Sequence, residues 1–359
     1  MQIAFRVDAS DSIGSGHLVR CLVLARYLRK AGCDSVFIIT KCKSNLGDLI
    51  FSHGFKFYEI KNNLPPILNS YGIYETYNWY DDAEQCSLIL KKEYYSWLVV
   101  DHYALDYRWE KFQKEFVKNI LVVDDLANRR HQADILLDQN MYHNFLYRYD
   151  NKVDKDCVKL LGTDYVLMQS EYRKLKSKVT LSQNQEKRLL IYFGNSELDD
   201  LNIRVLEIFL SLRKKNASAD IILSGHSKEA APIKKLIQHN RNIRLHGPQK
   251  TLAFLMSKAD IAIGAGGSTT WERICMGLPS IVITISDNQK QCAEYLDQMG
   301  LIRYVGNISS IEDEDIRIAL KEMFIDLNLQ SISKKCFNLI DGKGVIRVAE
   351  ALLKKNDLI

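Results

Sequence analysis

Two stretches of this chain combine residue types and spacings that can do chemistry. In residues 6–20, RVDASDSIGSGHLVR, an apolar run ends in a turn punctuated by Gly14 and Gly16, and His17 follows at once. Leu18, Cys21, Leu22, Ala25 and Leu28 then recur at helical spacing, so His17 stands at a helix start just after a strand. Strand ends in open α/β sheets meet helix N-termini where ligands bind. A histidine there either acts as a base near neutral pH or caps and packs the helix start. The second stretch, residues 261–279, IAIGAGGSTTWERICMGLP, runs from a strand through small residues into a helix that Ser268 or Thr269 can cap. Free amides at Gly266, Gly267, Ser268 and Thr269, with the positive end of the helix dipole, suit a diphosphate, and Glu272 can accept from ribose hydroxyls. A merely tight strand-to-helix turn is the competing reading. The spacing matches neither a Walker loop nor a GxGxxG fingerprint.

Three polar groups follow other apolar runs. Asp101-His102-Tyr103 closes one, Asp124-Asp125 another and Asp287-Asn288-Gln289 a third. The paired acids read first as capping or orienting groups and second as cation ligands. The amides suit sugar hydroxyls or acetamido groups, or serve as a helix cap. No HExxH or mixed His and Cys cluster calls for a metal, and no cofactor is expected. A G-x-S-x-G nucleophile elbow is absent, so serine catalysis has no support, and cysteine catalysis none either.

The elements that must position these residues alternate. Strands are expected at 3–7, 36–40, 56–60, 97–100, 120–123 and 135–137, with helices from His17 and near 45–53, 82–92 and 107–116. Residues 62–79 read as a loop with a short helix. After a polar stretch the alternation restarts, with strands at 189–193, 220–223, 243–245, 261–263 and 280–284 and helices near 201–214, 228–239, 251–258, 268–276 and 289–299. The expected architecture is α/β: two Rossmann-like domains facing a cleft. An N-terminal domain spans 1–175, a linker 176–187 and a second domain 188–359, whose last helix, 345–355, packs back across a domain.

Composition sets outer limits. The chain has 359 residues, 47% hydrophobic and 26% charged, which suits two ordinary globular cores. A net charge of +5 scattered among acidic residues fits an anionic small molecule better than nucleic acid. Eight separate cysteines without a CxxC pair point to a reducing cytoplasm. No signal-peptide pattern opens the sequence and no apolar run reaches the roughly 18 residues that span a bilayer.

RVDASDSIGSGHLVRCLVLA, VVDHYALD, VVDDLANRRHQADILLDQN, GAGGSTTWERICMGLPSIVI and ISDNQKQ together resemble the UDP-2,4-diacetamido-2,4,6-trideoxy-β-L-altropyranose hydrolases of pseudaminic acid biosynthesis, relatives of MurG-type glycosyltransferases. The resemblance runs through both halves. It implies the glycosyltransferase B-type fold, a UDP-linked diacetamido sugar as partner, and release of UDP by water attack at the anomeric carbon with inversion. It puts the general base on His17 and substrate contacts on Arg6, Asp8, Gly16, Tyr103 and Asn288. UDP contacts fall on Gly194, Ser196, Gly266, Gly267, Ser268, Thr269 and Glu272. Phe193-Gly194-Asn195-Ser196-Glu197 departs from the family's two consecutive glycines, because Asn195 replaces the second. A cytoplasmic monomer is expected. The rival functions are a UDP-sugar glycosyltransferase, which would release UDP only slowly without an acceptor, and a non-catalytic nucleotide-sugar binder.

Overall fold

A computed structural model describes residues 1–7, 15–41, 46–61, 67–68, 74–176, 186–194, 200–214, 216–225, 227–325 and 328–355. Two compact units emerge: residues 1–168 with 343–359, and residues 169–342.

The first unit runs β1 (Gln2–Val7), α1 (Gly16–Lys30), β2 (Asp34–Thr40), α2 (Leu46–Ser52), β3 (Lys56–Ile60), β4 (Ile67–Leu68), β5 (Tyr74–Thr76), α3 (Trp79–Leu90), β6 (Tyr95–Asp101), α4 (Tyr107–Gln113), β7 (Val117–Val123), β8 (Ile135–Asp138) and β9 (Val158–Leu161). Seven of these strands form one parallel sheet in the order β3-β2-β1-β6-β7-β8-β9, while β4 and β5 pair antiparallel. Side chains alternate across a strand, so Ile3, Phe5 and Val7 enter one core with Leu18, Leu22 and Leu28 of α1. Ala4 enters the other, with Ala83, Cys86 and Trp109. Both faces are buried, which is why these strands read as continuous apolar runs.

The second unit continues with α5 (Ser170–Lys176), β10 (Lys187–Tyr192), α6 (Leu201–Ser211), β11 (Ala217–Ile222), α7 (Ala230–Ile237), β12 (Ile243–His246), α8 (Ala253–Met256), β13 (Ile261–Ala265), α9 (Ser268–Cys275), β14 (Ser280–Thr284), α10 (Lys290–Gln298), β15 (Arg303–Asn307), α11 (Asp313–Ile325) and α12 (Leu329–Leu339). Its six-stranded parallel sheet has the order β12-β11-β10-β13-β14-β15. The last helix, α13 (Gly344–Lys355), belongs to the first unit, where Val345, Val348 and Leu352 are buried in the core beneath α1.

Each sheet therefore has a switch point, between β1 and β6 and between β10 and β13, where successive connections leave in opposite directions. Such points leave the strand ends open to a ligand. The domain boundary differs from the expected 175: α5 belongs to the second unit, because Lys176 Nζ donates to the carbonyl oxygens of Cys275, Phe337 and Ile340. Among the elements missing from the sequence reading are β9 and β15. Both are sheet edges in which Lys159 and Arg303 are exposed, so neither presents an apolar run.

Candidate active site

At the first switch point Val7, the last residue of β1, pairs in register with Asp101, the last of β6. α1 starts beyond β1 and brings its second residue, His17, over that pair. His17 Nδ1 lies 2.5 Å from Asp101 Oδ1. Asp101 is fully buried, and it also accepts Arg20 Nε at 2.6 Å and Arg20 Nη2 at 2.7 Å. Burial alone would raise its pKa, but the Arg20 charge and then His17 hold this carboxyl far below the usual range. An ionised carboxylate only accepts, so the ring donates from Nδ1, and a neutral ring in this geometry has its lone pair on Nε2. Among the described residues Nε2 has no hydrogen-bond partner. A carboxylate fixing an imidazole in this way is an arrangement that can orient a base.

Tyr103 meets His17 edge to face, with ring centroids 4.5 Å apart, and its hydroxyl donates to Asp125 Oδ2 at 2.8 Å. Burial, then the Asp125 charge, pushes that phenol well above its ordinary pKa. Asp125 also takes Arg20 Nη1 at 2.9 Å and Asn140 Nδ2 at 2.8 Å. Behind it, Asn140 bridges to Asp138, which burial and the neighbouring Asp125 push up to about 7. Asp124 faces away, toward Arg129 at 2.8 Å. His131 lies nearby, bonded through Nδ1 to Glu110 at 2.6 Å, and is raised to about 9 because the Glu110 charge outweighs burial.

The structure thus gathers Gly16, His17 and Tyr103, and adds Asp101, Arg20 and Asp125, none of which the sequence reading placed with His17. The missed signal was spacing: Arg20 follows His17 by one helical turn, Asp101 ends β6 and Asp125 follows β7 by two residues. The resemblance put a substrate contact on Arg6. It lies on the α3 face of β1 without exposed surface, and its guanidinium is taken up by Asp82, Tyr77, Thr40 and the Val7 carbonyl. It braces the strand end. Asp8 lies outside the described residues.

In the second unit Tyr192 pairs with Gly264 at the other switch point, and Gly194 follows β10 with φ +97° and open space where a Cβ would stand. Gly264 is required by packing: a Cβ would meet the Tyr192 carbonyl oxygen at 2.3 Å and Arg273 Nη1 at 2.6 Å. Arg273 Nη2 donates to the Ala265 carbonyl at 2.8 Å and holds the turn from beneath. Gly267 and Ser268 are exposed and Thr269 half-buried. The Gly267 amide is committed to Thr270 Oγ1 at 3.3 Å, so the amides of Ser268 and Thr269 are the ones that point out at the start of α9. Asn288 sits in a short helical turn, its Oδ1 accepting from Ser286 Oγ at 2.5 Å. Its neighbour Gln289 packs on Gly266. Glu272, one turn into α9, is pushed up to about 7 by burial against the opposing effects of Tyr172 and Arg273. Ser196 lies outside the described residues. Among the described residues no group of three or more His, Cys, Asp or Glu side chains is arranged to hold a metal ion, and no helix is long and apolar enough to cross a membrane.

No family model matches the chain. Over 304 residues it is 28% identical to UDP-2,4-diacetamido-2,4,6-trideoxy-beta-L-altropyranose hydrolase of Campylobacter jejuni, covering 84% of this chain and 97% of that protein. The chain is a sequence relative of that hydrolase. It is also 24% identical over 298 residues to the uncharacterized protein MJ1062 of Methanocaldococcus jannaschii, covering 81% of this chain. The spore coat polysaccharide biosynthesis protein SpsG of Bacillus subtilis is 25% identical over 195 residues, 53% of this chain. The match spans only 57% of the length of each of these last two proteins. Among solved structures, Acinetobacter baumannii MurG superposes with a TM-score of 0.67 at 14% identity, over 98% of this chain and 99% of MurG. An S. aureus MnaA–UDP co-structure gives 0.65 at 12% identity, over 100% of this chain and 97% of MnaA. The fold is that of the two-domain glycosyltransferase B-type proteins, with two Rossmann-like units.

Proposed function

We propose that this chain is a nucleotide-sugar hydrolase that cleaves UDP-2,4-diacetamido-2,4,6-trideoxy-β-L-altropyranose to UDP and the free diacetamido sugar, a step of pseudaminic acid biosynthesis. The observation that carries the reading is the His17–Asp101 pair, 2.5 Å apart, in a chain related over 84% of its length to a hydrolase of that name. UDP is a good leaving group, so the barrier lies in activating water and in receiving the departing diphosphate. Nε2 of His17 takes the proton from water as it attacks the anomeric carbon, with inversion, and Asp101 stabilises the imidazolium that forms. The amides of Ser268 and Thr269 at the start of α9 receive the diphosphate charge, Gly194, Gly266 and Gly267 let it approach, and Glu272 binds the ribose. Tyr103 and Asn288 contact the sugar. The enzyme works as a cytoplasmic monomer without a metal, and a chelator leaves turnover unchanged.

Turnover of the UDP-sugar in oxygen-18 water tests the reaction. Label in the sugar supports attack at carbon, whereas label in the phosphate of UDP overturns it. The fold is shared with transferases, and release of UDP only upon addition of an acceptor would replace hydrolysis with transfer. His17→Ala is expected to lower turnover by about 10²–10⁴-fold with UDP affinity little changed. Full turnover in that variant would remove His17 from the mechanism.

A further inference from the structure

We propose that Arg20 is a positioning residue that sets His17 and Tyr103 as one unit, by ion-pairing both carboxylates to which those two side chains are bonded. The inference rests on the hydrolase reading above. Arg20 stands one turn after His17 on α1 and is 6% exposed, so its guanidinium is committed to the protein and not presented to a ligand. One edge of the fork grips Asp101, the acceptor for His17, at 2.6 and 2.7 Å. The remaining nitrogen reaches Asp125, the acceptor for Tyr103, at 2.9 Å. A planar group with five donors can hold two carboxylates in fixed directions, and an ammonium cannot.

The bridge has an electrostatic consequence as well as a geometric one. Arg20 Nη2 lies 3.2 Å from His17 Nδ1, both donors converging on the same Asp101 oxygen. His17 therefore faces a cation on its own helix, the Asp101 carboxylate on β6, the Tyr103 phenol just beyond it and the Asp125 carboxylate after β7. Removing the cation favours imidazolium, and removing the Asp125 charge disfavours it. The two changes must move the acid limb of a pH–rate profile in opposite directions.

Full-length Arg20→Met, Arg20→Lys and Asp125→Asn are compared with wild type for kcat and KM between about pH 5 and 9, the span in which a histidine base titrates, with UDP affinity measured by calorimetry. Arg20→Met is expected to lose about 10²-fold in kcat, the low end for a general base, with KM and UDP affinity nearly unchanged. Its acid limb shifts to higher pH, that of Asp125→Asn to lower pH, and Arg20→Lys recovers only part of the rate. Wild-type kcat with an unmoved limb in Arg20→Met would overturn the proposal. If Arg20→Met does not fold, Asp125→Asn and Tyr103→Phe are combined: the losses must fall short of additivity, and strict additivity overturns the coupling. If wild type itself does not hydrolyse the sugar, the function reading fails by itself. The imidazole nitrogen-15 spectrum then decides, because Arg20→Met or Asp125→Asn must still change the tautomer or titration of His17, and an unchanged spectrum rejects the role.

Discussion

In the proposed mechanism the role of His17 depends on which ring nitrogen carries the proton, and the partner of Nδ1 is a side chain 84 positions away in the sequence. Asp101→Asn keeps the shape but lets the amide donate to Nδ1, which moves the proton to Nε2 and removes the base. Turnover is expected to fall by about 10²–10⁴-fold, as for other orienting carboxylates, and steady-state kinetics on the folded variant checks it. His131 makes a different prediction. Its folded pKa of about 9 stands above the ordinary 6.5, so its contribution to stability is complete below pH 6.5 and is lost as pH rises through 9. Denaturant unfolding of His131→Gln should lose most stability relative to wild type at about pH 6 and least near pH 9–10. An equal loss at both ends would contradict the charged state.

Among the elements, β13 and α9 carry the clearest sequence record. Gly264 has no room for a side chain because the Tyr192 carbonyl and the Arg273 guanidinium crowd it, and a Cβ at Gly266 would press on Thr284 and Gln289. Gly264→Ala is expected to destabilise the second unit by about 1–3 kcal/mol or more, the range for overpacking, measured by denaturant unfolding. Glu272 has a pKa of about 7, above its ordinary 4.5, so ionisation works against folding: the stability it leaves intact below pH 4.5 is lost as pH rises through 7. Glu272→Gln should raise the melting temperature at about pH 8 and leave it nearly unchanged at about pH 4, while weakening UDP binding if the carboxyl grips ribose. A variant melting lower at high pH would show that the ionised form is the stabilising one. The strand-to-helix glycines and helical periods were legible because these constraints are local. β9 and β15 were not, because Lys159 interrupts the first and Arg303, Gly306 and Asn307 leave the second without an apolar run.

For the whole molecule, the return of α13 to the first unit matters most. Val348, Ala349 and Leu352 have no exposed surface, so deleting residues 343–359 strips a wall from the core over β1. The first unit is expected to lose more than about 4 kcal/mol, from the usual 1.5–3 kcal/mol per large buried side chain, read as a shift of its urea transition. Residues 169–342 form an uninterrupted segment, so that segment is expected to fold alone and to bind UDP in calorimetry.

The sequence by itself determined the α/β alternation, the two sheets and the places where strands run into helices, because periodicity and small residues record local constraints. It also marked His17, Tyr103 and the 266–269 turn. Tertiary structure decided the partners. Arg6 and His17 are both polar and close in sequence, yet strand alternation sends Arg6 to Asp82 in the interior while α1 carries His17 to Asp101. Only the adjacency of β1 and β6 at the switch point puts a carboxylate under the imidazole, and no short-range pattern encodes a strand order.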